Sequence, residues 1–306
     1  MRINDYLPGL TKIEISDLPS CNNLPPLGQL PNLTHLYIGR MDSIKKIGED
    51  LYGGTRTFPR LLELVIDEMK FLEEWNTAVS GDKDGLNMLH QIGSVKIRHC
   101  PRLRFKPRPP QCSRLEIECS DEVMLSSLGN RCQVGAAASN DLFMDCCAVP
   151  LHLWSMLRQL PCLEWLTFMD YGDLACSSPD FLRGHTSLKS LTVRHCQSIA
   201  SLPERLGDLT SLELIDCKRM KTLPDTIQKL RCLDSLVISE CPELVQWCKS
   251  KEMKLAHIKE IVCVLTPIVL CSLNASTTLL QIGMGYILSY VFYARCLISL
   301  QRDRRF

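Results

Sequence analysis

The chain has 306 residues, more than the ~100 to 200 of one compact domain, so two domains or one elongated repeat array is expected. Thirty-five Lys and Arg against 34 Asp and Glu leave a net charge of +1, and 45% of residues are apolar, which excludes an acidic disordered chain and a basic coat for nucleic acid. Seventeen cysteines, an odd count, cannot all pair within the chain, and Met1 leads into Asn4, Asp5 and Pro8 rather than into an apolar signal, so free thiols in a reducing, cytoplasmic setting are expected.

A nine-residue frame with apolar residues at positions 1, 4, 6 and 9 recurs along the chain. Its copies begin with Leu10, Ile13, Ile15, Leu18, then Leu33, Leu36, Ile38, Met41, then Leu61, Leu64, Ile66, Met69, then Ile92, Val95, Ile97, Cys100. Cys112, Leu115, Ile117, Ser120 and Leu163, Leu166, Phe168, Tyr171 are looser copies, and Leu188, Leu191, Val193, Cys196 and Leu233, Leu236, Ile238, Cys241 are the best. Apolar positions 4 and 6 alternate with polar 3, 5 and 7, the period of a short strand with one buried face. One such unit cannot bury its apolar face alone, so neighbours must stack into a parallel sheet with a continuous core. Position 9 turns inward after the strand, where a small thiol packs well, which makes Cys100, Cys196, Cys217 and Cys241 structural residues. Leu212 to Cys217 reads as a copy three residues short, with a tighter turn before it.

Between strands, Leu24-Pro25-Pro26-Leu27, Leu202-Pro203-Glu204-Arg205-Leu206 and Leu223-Pro224-Asp225-Thr226-Ile227 share one layout, a Pro opening a short turn with apolar residues three or four apart. The predicted fold is an α/β solenoid: a horseshoe with a parallel concave sheet and short helical, 3₁₀ or irregular convex segments. Repeats are expected over 1–120 and 161–262. Residues 121–160, with Val134-Gly-Ala-Ala-Ala-Ser-Asn140 inside them, read as a flexible insertion or as one degenerate repeat near Leu142 to Cys147 followed by a helix around Leu151 to Leu160. Residues 263–306 read as an apolar tail in which 279–300 are a candidate membrane helix; the alternative is a tail that folds back.

The stretches Leu24 to Gly53, Phe58 to Trp75 and Leu209 to Leu244, which ends in Cys-Pro-Glu-Leu, resemble the leucine-rich-repeat region of plant nucleotide-binding disease-resistance proteins, most of all their coiled-coil type. The resemblance covers roughly residues 7 to 262, and Val245 to Ile261 is similar to that family's closing segment, with a last strand near Ile258 to Val262. It implies protein recognition in plant defence: a pathogen effector, or the nucleotide-binding domain of a resistance protein, as partner. No G-x-x-x-x-G-K-[ST] phosphate loop occurs, so nucleotide binding is not carried over, and a truncated receptor remnant or a tail-anchored adaptor is the alternative.

Catalytic and metal chemistry finds no support in the spacing. Cys146-Cys147 are adjacent, Cys112 to Cys119 and Cys241 to Cys248 are seven apart, and no C-x-x-C ladder occurs. His99-Cys100 and His195-Cys196 look like nucleophile and base, but positions 8 and 9 diverge, the thiol inward and the imidazole outward. Glu73-Glu74, Asp82 and Asp84 are assigned to a solvated convex loop. The expectation is a non-enzyme without cofactor or metal.

What remains is a surface built from positions 3, 5, 7 and 8. Candidate partner-binding residues on it are His35, Tyr37, Arg40, Lys96, Arg98, Arg114, Trp165, Thr167, Asp170, Thr192, Arg194 and Glu240. Aromatics and Arg among charges of both signs suit a protein partner, whereas a nucleic-acid groove would need one sign along its length. Trp165 leads this set, because an uncovered Trp on a strand invites a partner.

Overall fold

A strand that buries one face and is only five residues long has too little apolar surface to stand alone, and the structure answers this by repetition. The computed structural model describes residues 7–54, 57–77, 92–106, 109–110, 112–125, 140–147, 157, 160, 162–170, 182, 185–203, 206 and 208–265. All of them belong to one unit, Met1–Leu265. The candidate membrane helix over 279–300, most of the helix expected at Leu151 to Leu160, and Asp82 and Asp84 lie outside the described residues. No helix among the described residues is long and apolar enough to cross a membrane.

The strands are β1 (Lys12–Ser16), β2 (His35–Gly39), β3 (Lys46–Ile47), β4 (Glu63–Asp67), β5 (Glu74–Asn76), β6 (Ile92–Arg98), β7 (Arg104–Lys106), β8 (Cys112–Glu118), β9 (Asp141–Asp145), β10 (Trp165–Met169), β11 (Ser190–Arg194), β12 (Ser211–Ile215), β13 (Ser235–Ser239) and β14 (Glu260–Val264). Eleven of them form one parallel sheet in chain order, β1-β2-β4-β6-β8-β9-β10-β11-β12-β13-β14. This is the predicted leucine-rich-repeat solenoid. Register is position for position: Leu36 faces Leu64 and Ile38 faces Ile66, and the same holds for Leu191 with Leu212 and Val193 with Leu214. From β2 to β13, positions 4 and 6 are therefore stacked apolar side chains at or near zero exposure, each such side chain stabilising by ~1.5 to 3 kcal/mol over an exposed one.

Two sequence expectations, the shortened copy at β12 and the solvated loop at Glu74, are corrected here. Leu209, Leu212, Leu214 and Cys217 fill a complete frame, all fully buried, so no residues are missing before β12 and its turn is not shortened. Residues 121–160 contain a strand, β9, with Leu142, Met144 and Cys147 in the core between β8 and β10. Glu74 is not in a solvated loop: β3, β5 and β7 make a second parallel sheet, and the Glu74 carboxylate lies 2.6 Å from Lys106 and 3.7 Å from Lys46. That sheet points Ile47, Trp75 and Phe105 into the core, where the Trp75 indole donates to Tyr52 Oη at 2.7 Å and Tyr52 donates to the Asn76 carbonyl at 2.6 Å. The closing strand, β14, runs to Val264, two residues past the expected end.

The convex side uses short turns, as the Pro-led segments require: 3₁₀ turns at Leu27–Gln29 and Asp225–Lys229, and two short helices, α1 (Glu49–Tyr52) and α2 (Pro242–Ser250). Gly53 ends α1 at φ 70°, a left-handed conformation in which its N–H caps the Glu49 carbonyl.

Position 8 explains how each strand ends. Asp17, Arg40, Glu68, His99, Cys119, Cys146, Asp170, His195, Asp216 and Glu240 all adopt positive φ, between 45° and 59°. None is β-branched, the class for which this conformation is most strained. The turn costs about 1–2 kcal/mol per residue in local sterics, but from Arg40 onward it aims the position-8 N–H at the position-7 carbonyl of the next strand, as for Arg40 to Asp67 at 3.2 Å and His195 to Ile215 at 2.8 Å. It also swings position 9 inward. Cys100, Cys196, Cys217 and Cys241 are at most 1% exposed, and each thiol donates back to its own position-7 carbonyl at 3.1 to 3.4 Å.

Candidate functional site

The register lines up the outward side chains as rows across the strands, so neighbours in a row are one interstrand spacing apart, about 4.8 Å. Opposite charges in adjacent strands therefore meet. Lys96 at position 5 of β6 reaches Glu63 at 2.6 Å and Glu116 at 3.9 Å. Arg98 pairs with Glu118 at 3.2 Å, and Arg114 with Glu116 at 2.7 Å and Asp141 at 2.9 Å. Arg194 bonds both Glu213 oxygens at 3.1 Å, and the Thr192 hydroxyl donates to the same carboxylate at 3.3 Å. Arg40 grips Asp17 through two bonds of 2.6 and 2.7 Å and lies 3.7 Å from Glu68.

These contacts set the electrostatics. The Arg40 guanidinium holds the Asp17 carboxyl down at about 2. The bond from Lys96 lowers Glu63. Burial pushes Asp141 up, and Arg114 only partly offsets it. For Asp216 burial pushes up, but bonds from His195 and Lys218 prevail and the carboxyl is lowered.

The structure places all twelve predicted residues on the outward positions of the sheet and its position-8 edge, but offers them unequally. Arg40, Lys96, Arg98, Arg114 and Arg194 are engaged within the sheet, and Thr192 is buried beside Glu213. Tyr37 is half-buried and folded flat: its ring covers Gly39, where a Cβ would lie 2.8 Å from the ring, and its hydroxyl donates to Asp67 at 3.0 Å. His35 sits beside the Thr34 hydroxyl at 2.9 Å. Asp170 and Glu240 are exposed at position 8, and Thr167 is half-buried at position 5 of β10. Trp165 is 42% exposed, with Lys189 Nζ 5.8 Å from its ring centroid and the shorter Asp141 and Ser190 on the flanking strands.

His99 and Cys100 diverge as expected: the imidazole faces Asp67 at 3.3 Å, and burial pushes the inward Cys100 thiol up to about 12. Such a thiol is a core residue and not a nucleophile.

Sequence reasoning missed the outward residues of three strands. Asp141 and Phe143 of β9 escaped because position 1 of that frame is Ser139, while Ser211, Glu213 and Ile215 of β12 escaped because Leu209 was not read as a position 1. Val262 and Val264 of β14 lay at the edge of the readable repeats. Phe143 takes the Arg114 guanidinium over its ring at 5.8 Å.

No family model matches the chain. Among curated proteins it is similar to disease resistance protein RPS4B of Arabidopsis thaliana, 27% identical across 31% of this chain and 12% of that protein. It is also similar to disease resistance protein RPP4 of Arabidopsis thaliana, 25% identical across 69% of this chain and 17% of that protein. Among solved structures, the leucine-rich repeat domain of the type III effector XopL is similar at 19% identity and a TM-score of 0.40, over 84% of this chain and 77% of that one. The chain spans less than a fifth of the length of the curated relatives it matches.

Proposed function

From the similarity of its sequence to plant disease resistance proteins and from its leucine-rich-repeat fold, we propose that the chain is a non-catalytic recognition module of plant defence, acting in the cytoplasm, whose sheet face binds a protein partner: a pathogen effector, or the nucleotide-binding domain of a resistance protein.

The observation that carries this reading is the contrast across the face. From β2 to β9 the Lys and Arg side chains of the main sheet, and Arg40 at its edge, are paired with carboxylates, whereas β10 presents Trp165, 42% exposed, beside Thr167 and Met169 on a rigid parallel support. A rigid, exposed Trp ringed by paired charges is the arrangement that concentrates binding energy at protein interfaces, with the charges selecting the partner. No disulfide joins any two of the thirteen described cysteines, which suits a reducing compartment.

The test is a quantitative titration of the purified chain against resistance-protein nucleotide-binding domains and effectors of the same host system. Trp165→Ala should abolish binding of whichever partner is found, and Glu213→Lys should weaken it. A partner whose affinity is untouched by both, yet is lost on substitution of the exposed convex Lys229, would overturn the reading.

A further inference from the structure

The aspartates of positions 7 and 8 fall into two groups. Asp17 is held by Arg40, Asp67 accepts from Tyr37 and faces His99, and Asp216 has His195 and Lys218. Asp145 and Asp170, in the middle of the array, have no cationic partner among the described residues. Asp145 is only 7% exposed, and its Oδ1 accepts no hydrogen bond. A buried carboxylate oxygen left this way is costly unless a proton or a cation sits on it.

The neighbours of that carboxylate are metal ligands by type. One ligand atom each from Asp145, Cys146 and Asp170 lies within 4.8 Å of the others. The Cys119 thiol, from the preceding repeat, lies against that of Cys146. Three of the four residues occupy position 8 of consecutive repeats, and their backbones are fixed: the N–H of Cys119 donates to Asp145, of Cys146 to Met169 and of Asp170 to Arg194, at 3.1 to 3.2 Å. The side chains thus converge from a rigid edge, which is what a metal site needs from its scaffold.

We propose that Asp145, Cys146 and Asp170, with Cys119 completing the set, form a binding site for a divalent transition metal of the zinc class, clamping three adjacent repeats together. Two sulfurs and two carboxylates suit borderline-soft Zn²⁺ at four-coordination and do not suit Mg²⁺ or Ca²⁺, which take oxygen alone. Each metal–sulfur bond formed releases the thiol proton to solvent, with no change of oxidation state. The site is independent of the partner-binding reading.

The test uses the full chain, metal-free and kept reduced, titrated with Co²⁺ as a spectroscopic probe and then with Zn²⁺. One equivalent of Co²⁺ should give thiolate charge-transfer and tetrahedral d–d bands, and Zn²⁺ should displace it and raise the melting temperature. Cys119→Ser/Cys146→Ser should remove that equivalent, whereas Cys162→Ser/Cys232→Ser, at exposed thiols elsewhere, should keep it. Asp170→Asn, an exposed substitution that leaves folding intact, should weaken affinity by about tenfold or more, since even groups outside the ligand shell matter by that much. Equal Co²⁺ spectra in the wild type and the Cys119/Cys146 variant, or unchanged affinity in Asp170→Asn, would show that Asp145 is satisfied by a proton and that no such site exists.

Discussion

Replacing Cys241 separates two accounts of the inward thiols: space filling, or a bonded ladder. Cys241 is 1% exposed, and its sulfur accepts from the Cys217 N–H at 3.2 Å while its thiol donates to the Ser239 carbonyl at 3.2 Å. Serine already does the same five strands earlier in the sheet: Ser120 Oγ accepts from the Cys100 N–H at 2.9 Å and donates to the Glu118 carbonyl at 2.8 Å. Cys241→Ala removes about one methylene-sized group, ~0.8 kcal/mol, and orphans a buried N–H at ~1 to 3 kcal/mol, so about 2 to 4 kcal/mol in all. Cys241→Ser keeps both bonds and should cost about 1 kcal/mol, because only the apolar transfer of sulfur is lost. Urea unfolding followed by circular dichroism gives the comparison, with exchange of the Cys217 amide as the local readout. An alanine variant as stable as the serine variant, with the Cys217 amide equally protected, would refute the bonded ladder.

Other outcomes follow from the same contacts. Trp75→Ala empties a fully buried site, breaks the bond to Tyr52 and should cost about 3–5 kcal/mol; Trp75→Phe should cost less, and thermal unfolding ranks them. Gly39→Val should lift the Tyr37 ring off the sheet and break its bond to Asp67, read as a fall of the Tyr37 pKa toward its ordinary value from the raised one caused by burial first and Asp67 second. With iodoacetamide on the native chain, Cys162 and Cys232 should label, whereas Cys100 and Cys147, both pushed up to about 12 by burial, should label only on unfolding; peptide mass spectrometry reads this out. Glu63, Glu74 and Asp225 are lowered by bonds from Lys96, Lys106 and Lys254, so their contribution is present above the ordinary carboxylate range and is lost as pH falls through their folded values. Asp145 is raised and has the opposite sign. With chelator present, Asp145→Asn should raise the unfolding midpoint at pH 7, and the gain should vanish as pH falls below the folded pKa of Asp145.

The strands of the main sheet were legible because their determinant is local: alternation at positions 4 and 6 defines a buried face, and the leucines at 36, 64 and 191 could only be core. The inward thiols were legible for the same reason. β12 was misread although its frame is intact, since Leu209 serves both as the end of a Pro-led turn and as position 1. The second sheet was not legible, because β3 is two residues long and forms only when Ile47, Trp75 and Phe105 are stacked by the first sheet.

The sequence by itself determined a parallel repeat solenoid, its outward positions and its inward thiols, all consequences of short-range periodicity. Which outward residues remain available was decided only by tertiary structure. Arg114 and Asp141, or Arg194 and Glu213, meet because strands 19 to 27 residues apart lie side by side in register, and no local spacing records such a pairing. The same lateral stacking leaves Trp165 uncovered and brings Cys119, Asp145, Cys146 and Asp170 to one edge.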